Sequence, residues 1–323
     1  MNIAMLSGWH VHAKGYANEI NSCEGFNVTA VWDELPERGK EWAAELGCTF
    51  YQNLDELLSD DTIDAVVVNA PTNMHPEVII KAAEAGKAIF TEKVLALTLS
   101  EAESIKEAVE RNNVLFTISY PHRLRPTLIK AKRIAESGDI GKITYARVRN
   151  VHNGSVADWL PPHFYDKTQC GGGAMIDLGA HPMYTLEWIC GKPKSVVSMF
   201  TNVTDRPVED NAVSVLEFEG GIIGVSETGF VSTGNPYTLE ISGTEGAIML
   251  HGADFSFCGK STEGKWTKID VSDKEALYPI KLWAECLTTG KDSPFPIDEA
   301  VSLSALMEAA YESFRTGKKV KVK

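Results

Sequence analysis

The first third of the chain alternates short, nearly unbroken apolar runs with stretches whose apolar positions recur every three or four residues. Residues 2–6, 28–32, 64–68, 88–90 and 114–119 carry the first pattern and predict strands. Residues 12–21, 36–46, 76–85 and 100–111 carry the second and predict helices; Trp42, Ala43 and Leu46 share one face, and Gly47 and Gly86 end two of the helices. Ser100 followed by Glu103 predicts a capping box at the start of the last. Strands that are apolar at every position must be covered on both faces. Strand–helix alternation of this kind therefore predicts an α/β domain with a doubly wound parallel sheet over residues 1–120.

Beyond residue 120 the texture changes. A helix over 126–137, stopped by Gly138, precedes runs at 143–151, 195–203, 212–218, 222–230, 237–242 and 247–250 that predict strands. Gly220-Gly221 marks a hairpin. Residues 296–315 predict a helix and 318–323 a closing strand. Residues 121–323 thus predict an α+β domain with a large, mostly antiparallel sheet, one face of it solvated. A face of that kind suits self-association, as a homodimer or homotetramer.

Composition changes the picture little. Of 323 residues 44% are hydrophobic and 23% charged, ordinary values for a globular protein, and the formal charge of −13 with no basic stripe argues against a nucleic-acid partner. No apolar run approaches the roughly 18 residues of a membrane helix. No secretory leader is evident, so a cytoplasmic protein with no membrane association is expected. The six cysteines form no CxxC pair, and reduced thiols are the simple expectation.

The chemistry-bearing residues gather after predicted strands. Gly8, Trp9, His10, Val11 and His12 join the first strand to the first helix, where a dinucleotide fold rests its pyrophosphate on backbone N–H groups; Ala13 fills the third-glycine position of that fingerprint. His10 and His12 have no neighbouring carboxylate or cysteine in sequence, so no metal is expected there. Asp33 ends the second strand, 25 residues after Gly8, where an acid accepts ribose hydroxyls and repels a 2′-phosphate; NAD is therefore expected over NADP. Ala70, Pro71, Thr72, Asn73 and His75 follow the third strand, and Glu92 and Lys93 the fourth, all at the ligand-binding edge. Gly171-Gly172-Gly173 leads into a segment holding Asp177 and His181. On a helix over 174–190 the two would share a face and form an acid–base pair.

Together these residues resemble the glucose-fructose oxidoreductase / inositol dehydrogenase / rhizopine catabolism family (Gfo/Idh/MocA). The resemblance covers nearly the whole chain, including Gly243-Thr244-Glu245-Gly246 and the C-terminal Arg315-Thr316-Gly317-Lys318-Lys319-Val320. It implies a Rossmann domain followed by an α/β domain whose sheet commonly serves as an oligomer interface. It also implies catalytic roles for Lys93, Asp177 and His181. Val94 stands where the family carries proline after the lysine, and Tyr120-Pro121-His122-Arg123 where an Asn-Arg-Arg-like stretch is common. His122, Arg123, His152, Trp159, His163, Tyr165 and Tyr184 are candidates for reading substrate hydroxyls.

The expected activity is hydride transfer between NAD and a hydroxyl-bearing carbon of a sugar, sugar derivative or cyclitol. His181 takes the hydroxyl proton, Lys93 stabilises the developing alkoxide, and Asp177 orients His181. Two other activities fit the same features. One is glycoside cleavage or elimination through transient oxidation by tightly held NAD. The other is a non-catalytic sugar or dinucleotide sensor.

Overall fold

The computed structural model describes residues 1–234 and 237–323. They form two compact units, Met1–Ser119 with Leu277–Ser304, and Tyr120–Ala276 with Ala305–Lys323.

In the first unit, β1 (Asn2–Leu6), β2 (Asn27–Trp32), β3 (Thr49–Tyr51), β4 (Ala65–Val68), β5 (Ala88–Thr91) and β6 (Phe116–Ile118) form a parallel sheet in the order β3-β2-β1-β4-β5-β6. The helices Ala13–Asn21, Pro36–Leu46, Leu54–Leu58, His75–Glu84 and Leu99–Arg111 alternate with the strands. All four residues of β4, one alanine and three valines, are buried, as a central strand covered on both faces requires. Strand order reverses between β1 and β4, and a doubly wound sheet binds ligands at the carboxyl edge of that switch point.

Two of the elements that the sequence pattern missed, β3 and the helix Leu54–Leu58, are short. Neither is long enough to establish a period, although Asn53 caps the helix by accepting the N–H of Asp55. The capping box lies two residues before the expected Ser100–Glu103 pair. Thr98 accepts the N–H of Glu101 at 3.2 Å and donates its own N–H to the Glu101 carboxylate at 3.0 Å. Thr98 has extended backbone, the conformation of a cap. A start at Leu99 also turns Ala102, Ile105, Ala108 and Val109 inward.

Helix Pro279–Thr289 returns to this unit from far along the chain. Ile280, Trp283 and Ala284 share a core with Ile3, Met5, Tyr16, Val67 and Phe90, and the Trp283 ring lies 5.7 Å from that of Phe90.

The second unit is built on nine strands in the order β14-β13-β12-β11-β7-β10-β9-β8-β15. They are β7 (Ile143–Val151), β8 (Pro193–Thr201), β9 (Asn211–Phe218), β10 (Ile223–Gly229), β11 (Thr238–Gly243), β12 (Ala247–His251), β13 (Asp254–Cys258), β14 (Thr267–Lys268) and β15 (Val320–Lys321). Among the described residues of this sheet, only β7 and β10 pair in parallel. Glycines 220 and 221, at φ +70° and +81°, make the turn between β9 and β10. Burial alternates strictly along β9, and helix Ala180–Cys190 packs on β7 and β10.

The other face stays open. Val197 pairs with Val215 and Met199 with Val213 across β8 and β9, and Ile223 lies on the neighbouring strand; all five are exposed, Met199 by 72%. Beside them, Arg147 donates to Glu227 through two N–H groups at 2.7 and 2.9 Å.

None of the six cysteines forms a disulfide. Among the described residues, no helix is long and apolar enough to cross a membrane.

Candidate active-site residues in the two units

Four of the loops that leave the carboxyl edge of the parallel sheet, after β1, β2, β4 and β5, carry the candidate residues of this unit. The turn after β1 is made by Ser7, whose φ of 74° lies in the left-handed region that side chains disfavour. Its hydroxyl accepts the N–H of Trp9 at 3.0 Å and an N–H of Arg38 at 3.2 Å, which offsets the backbone cost. Gly8 serves close packing instead. A Cβ there would lie 3.2 Å from the Trp42 ring and 3.4 Å from the Asp33 carboxylate.

His10, in the second-glycine position, is buried; its N–H donates to the Asn69 carbonyl at 3.1 Å, joining the loops after β1 and β4. Trp9 is buried and Val11 is exposed. The helix that begins at Ala13 has no acidic residue in its first turn and no side-chain cap. Its positive end is thus open to an anion, and the turn fits a dinucleotide's pyrophosphate.

Asp33 is held more tightly than the sequence suggests. Its carboxylate accepts the N–H of Gly8 at 2.8 Å, the N–H of Leu35 at 2.8 Å, and two Arg38 N–H groups at 2.8 and 2.7 Å. Its side chain is fully buried. Four donors on two oxygens satisfy the group, so Asp33 shapes the Gly8 turn and presents its charge in company with Arg38 and Glu34.

After β4, Pro71 and Thr72 are buried, Ala70 nearly completely so, while Asn73 is exposed. His75 begins the following helix, and its ring nitrogens lie 3.0 Å from the Leu95 carbonyl and 3.1 Å from that of Ala70. Burial pushes its pKa down, opposed by these backbone contacts, and the ring lies between this loop and the segment just past Lys93.

After β5, Glu92 and Lys93 are both buried, and the Lys93–Val94 peptide is cis. Glu92 accepts the N–H of Lys93 at 3.1 Å and the hydroxyl of Tyr16, and its Oε1 lies 2.7 Å from His12 Nδ1 and 3.7 Å from His10 Nδ1. Burial alone would raise its pKa. The imidazoles of His10 and His12, the His12 hydrogen bond and the Lys93 charge outweigh that and hold Glu92 below the usual carboxylate range. The carboxylate that the sequence does not place beside the two histidines is therefore supplied by the fold. The sequence reading also missed Tyr16, although its position four residues after His12 puts both on one face of the first helix.

In the second unit, Asp177 and His181 do not share a helix. The helix starts at Ala180, and Asp177 lies in the preceding turn, its N–H donating to the Gly173 carbonyl at 3.1 Å. The glycines impose this geometry: Gly171 ends a short helix at φ +83°, and a Cβ on Gly172 or Gly173 would collide with the Tyr311 hydroxyl or the Glu209 carbonyl. The Asp177 charge acts on His152, where it opposes the lowering of that imidazole's pKa by burial.

His181 is buried, with Nδ1 2.8 Å from the Tyr184 hydroxyl, and its ring stacks on that of His122 at 4.2 Å. The N–H of His122 donates to the same hydroxyl at 3.1 Å. Two aromatics outside the expected set complete this group: Tyr120 stacks on Tyr184 at 4.3 Å, and Tyr237 meets His122 edge-on.

The remaining expected contacts form other groups. His152 stacks on Phe230 and neighbours Trp159, which is exposed and donates its indole N–H to Asn153. Tyr165 is buried, bonded to Ser155 and covered by Arg206. His163 neighbours Phe164, and Arg123 lies over Trp188.

Both parts of the chain match known protein-family models. Residues 7–120 match a family model described as an oxidoreductase family with an NAD-binding Rossmann fold, and residues 128–249 match the GFO/IDH/MocA C-terminal domain. Scyllo-inositol 2-dehydrogenase (NAD(+)) of Bacillus subtilis is 32% identical, over 97% of this chain and 93% of that protein. 2,7-Anhydro-N-acetylneuraminate hydratase of Mediterraneibacter gnavus is 28% identical, over 73% of this chain and 63% of that one. A levoglucosan dehydrogenase solved with NADH and levoglucosan has the same fold, with a TM-score of 0.86 at 21% identity over 100% of this chain and 99% of that one. By both its domain matches and its full-length relatives, the chain belongs to the Gfo/Idh/MocA family of oxidoreductases.

Proposed function

We propose that this protein is an NAD-dependent dehydrogenase that oxidises a ring CH–OH of a cyclitol or closed-ring sugar. The first unit holds the dinucleotide and the second reads the substrate. The observation that carries this reading is the group formed by His122, His181 and Tyr184. It is a bank of hydrogen-bonding rings flanked by the aromatic faces of Tyr120 and Tyr237, of the kind that suits a polyhydroxylated ring.

The bound nicotinamide supplies a hydride acceptor. His181 takes the proton of the reacting hydroxyl, with Tyr184 fixing its ring through Nδ1. Lys93 stabilises the negative charge that develops on the substrate oxygen. Asp177 contributes its charge to His152. Screening cyclitols and sugars with NAD, while following the absorbance of the reduced cofactor, tests the reading. Silence across both classes would remove it. A second reading, transient oxidation with no net reduced cofactor, is favoured by the relative named as a hydratase. Under it, substrate is consumed while that absorbance stays flat.

NAD is expected to bind more tightly than NADP. Asp33 and Glu34 carry two negative charges against the one positive charge of Arg38, and the excess repels a 2′-phosphate, at a cost of roughly ten- to a hundredfold in affinity. Asp33→Ser removes the charge and releases Arg38, and should move the preference toward NADP by a similar factor. Titrations of both forms with both cofactors decide this; equal binding by the unaltered protein would sink the idea.

The open apolar rows on β8, β9 and β10 are proposed to join copies into a homodimer or homotetramer. Light scattering at micromolar concentration should give a multiple of the chain mass, and Met199→Glu with Val213→Lys should shift it toward the monomer. A monomer before substitution would refute it.

A further inference from the structure

We infer that His10, His12 and Glu92 form a binding site for one divalent transition-metal ion of the zinc, cobalt or nickel class. One ligand atom from each residue lies within 4.8 Å of the other two. A four-coordinate ion with bonds of about 2.1 Å holds its ligand atoms roughly 3.4 Å apart. The separations from Glu92 Oε1 to the two imidazoles, 2.7 Å to His12 and 3.7 Å to His10, bracket that spacing.

A pair at the 4.8 Å limit would have to close by about 1.4 Å. His12 can supply the movement, because its side chain is half-exposed while those of His10 and Glu92 are almost fully enclosed. Two imidazoles with one carboxylate select borderline first-row ions over magnesium and calcium, which prefer all-oxygen shells. Three protein ligands also leave a coordination position for water or another small ligand.

Binding has identifiable costs. The backbone N–H of His12 donates to His10 Nδ1 at 3.2 Å, a contact that yields if that nitrogen becomes the ligand. The positive charge of Lys93 acts on Glu92 and opposes a second cation. Glu92 keeps its contacts with Tyr16 and the Lys93 N–H, which fix the carboxylate's position with or without an ion.

The test uses the full chain after chelator treatment, without nucleotide or substrate, so its outcome is separate from that of the dehydrogenase reading. Cobalt(II) is titrated while its visible absorption and the protein's tryptophan fluorescence are followed; Trp9 lies 6.1 Å from His10, centre to centre. One ion per chain is expected. His12→Gln and Glu92→Gln should each weaken binding at least tenfold, and His251→Gln, at an exposed strand end, should leave it unchanged. Because His12 is half-exposed, that variant decides the matter even if Glu92→Gln fails to fold. Absence of a cobalt spectrum, or one-to-one binding that survives His12→Gln, overturns the assignment.

Discussion

Replacing Lys93 by methionine is expected to lower kcat on a confirmed substrate by on the order of 10²-fold or more, while NAD binds almost as before. Methionine keeps the length and apolar bulk that the buried position requires and removes only the charge. A single charged stabiliser of a developing alkoxide is commonly worth that much, close to 3 kcal/mol of barrier. His181→Gln should lose a similar factor. Glutamine can still meet the Tyr184 hydroxyl that His181 contacts at 2.8 Å, but it cannot accept a proton, so the acid limb of the pH–rate profile should also flatten. Steady-state kinetics across pH, with NAD affinity measured separately by fluorescence, distinguish these effects from lost cofactor binding. Near-normal turnover in both variants would mean that the proton and the charge are handled elsewhere, with His122 and His152 the next groups to replace.

A comparable loss, in stability, is expected at Gly173. A Cβ there would sit 2.7 Å from a Val208 methyl and 2.1 Å from the Glu209 backbone oxygen, and no side-chain rotation relieves the second contact. The same turn is pinned by the Glu209 carboxylate, which accepts the N–H groups of Gly173 and Met175 and the Tyr311 hydroxyl. Gly173→Ala therefore has to displace backbone, and should cost roughly 2–4 kcal/mol and several degrees of melting temperature. Gly15→Ala serves as a comparison. Its added methyl meets nothing within 4 Å, and in the helix Ala13–Asn21 alanine is favoured over glycine, so no loss is expected. Equal melting temperatures for the Gly173 variant and the unaltered protein would show that the turn is not packed as described.

What was legible in the sequence followed from period. The apolar runs of β1, β2 and β4 admit one reading, since four consecutive buried residues cannot face water. The alternation along β9 likewise announced a half-solvated sheet. Elements of two to five residues, such as β3, β14 and the helix Leu54–Leu58, show no period and escaped notice. Asp177 and His181 have the spacing of helical neighbours, but the crowded approach of Gly172 and Gly173 delays the helix until Ala180. The environment of Asp33 was half visible: Arg38 lies five residues on, yet only the fold shows its guanidinium on the carboxylate. The company of Glu92 was invisible, because it joins residues 76 to 82 positions apart through the order of the sheet.

The return of Pro279–Thr289 to the first unit constrains how the chain can be made and cut. Trp283 is fully enclosed among side chains drawn from the first ninety residues, so a nascent chain that has completed all six parallel strands still exposes the surface Trp283 will cover. Synthesis has to pass through the whole nine-stranded sheet except its last, two-residue strand before that surface is closed. A fragment ending at residue 119 is therefore expected to leave that surface open to solvent and to aggregate more readily than the whole chain.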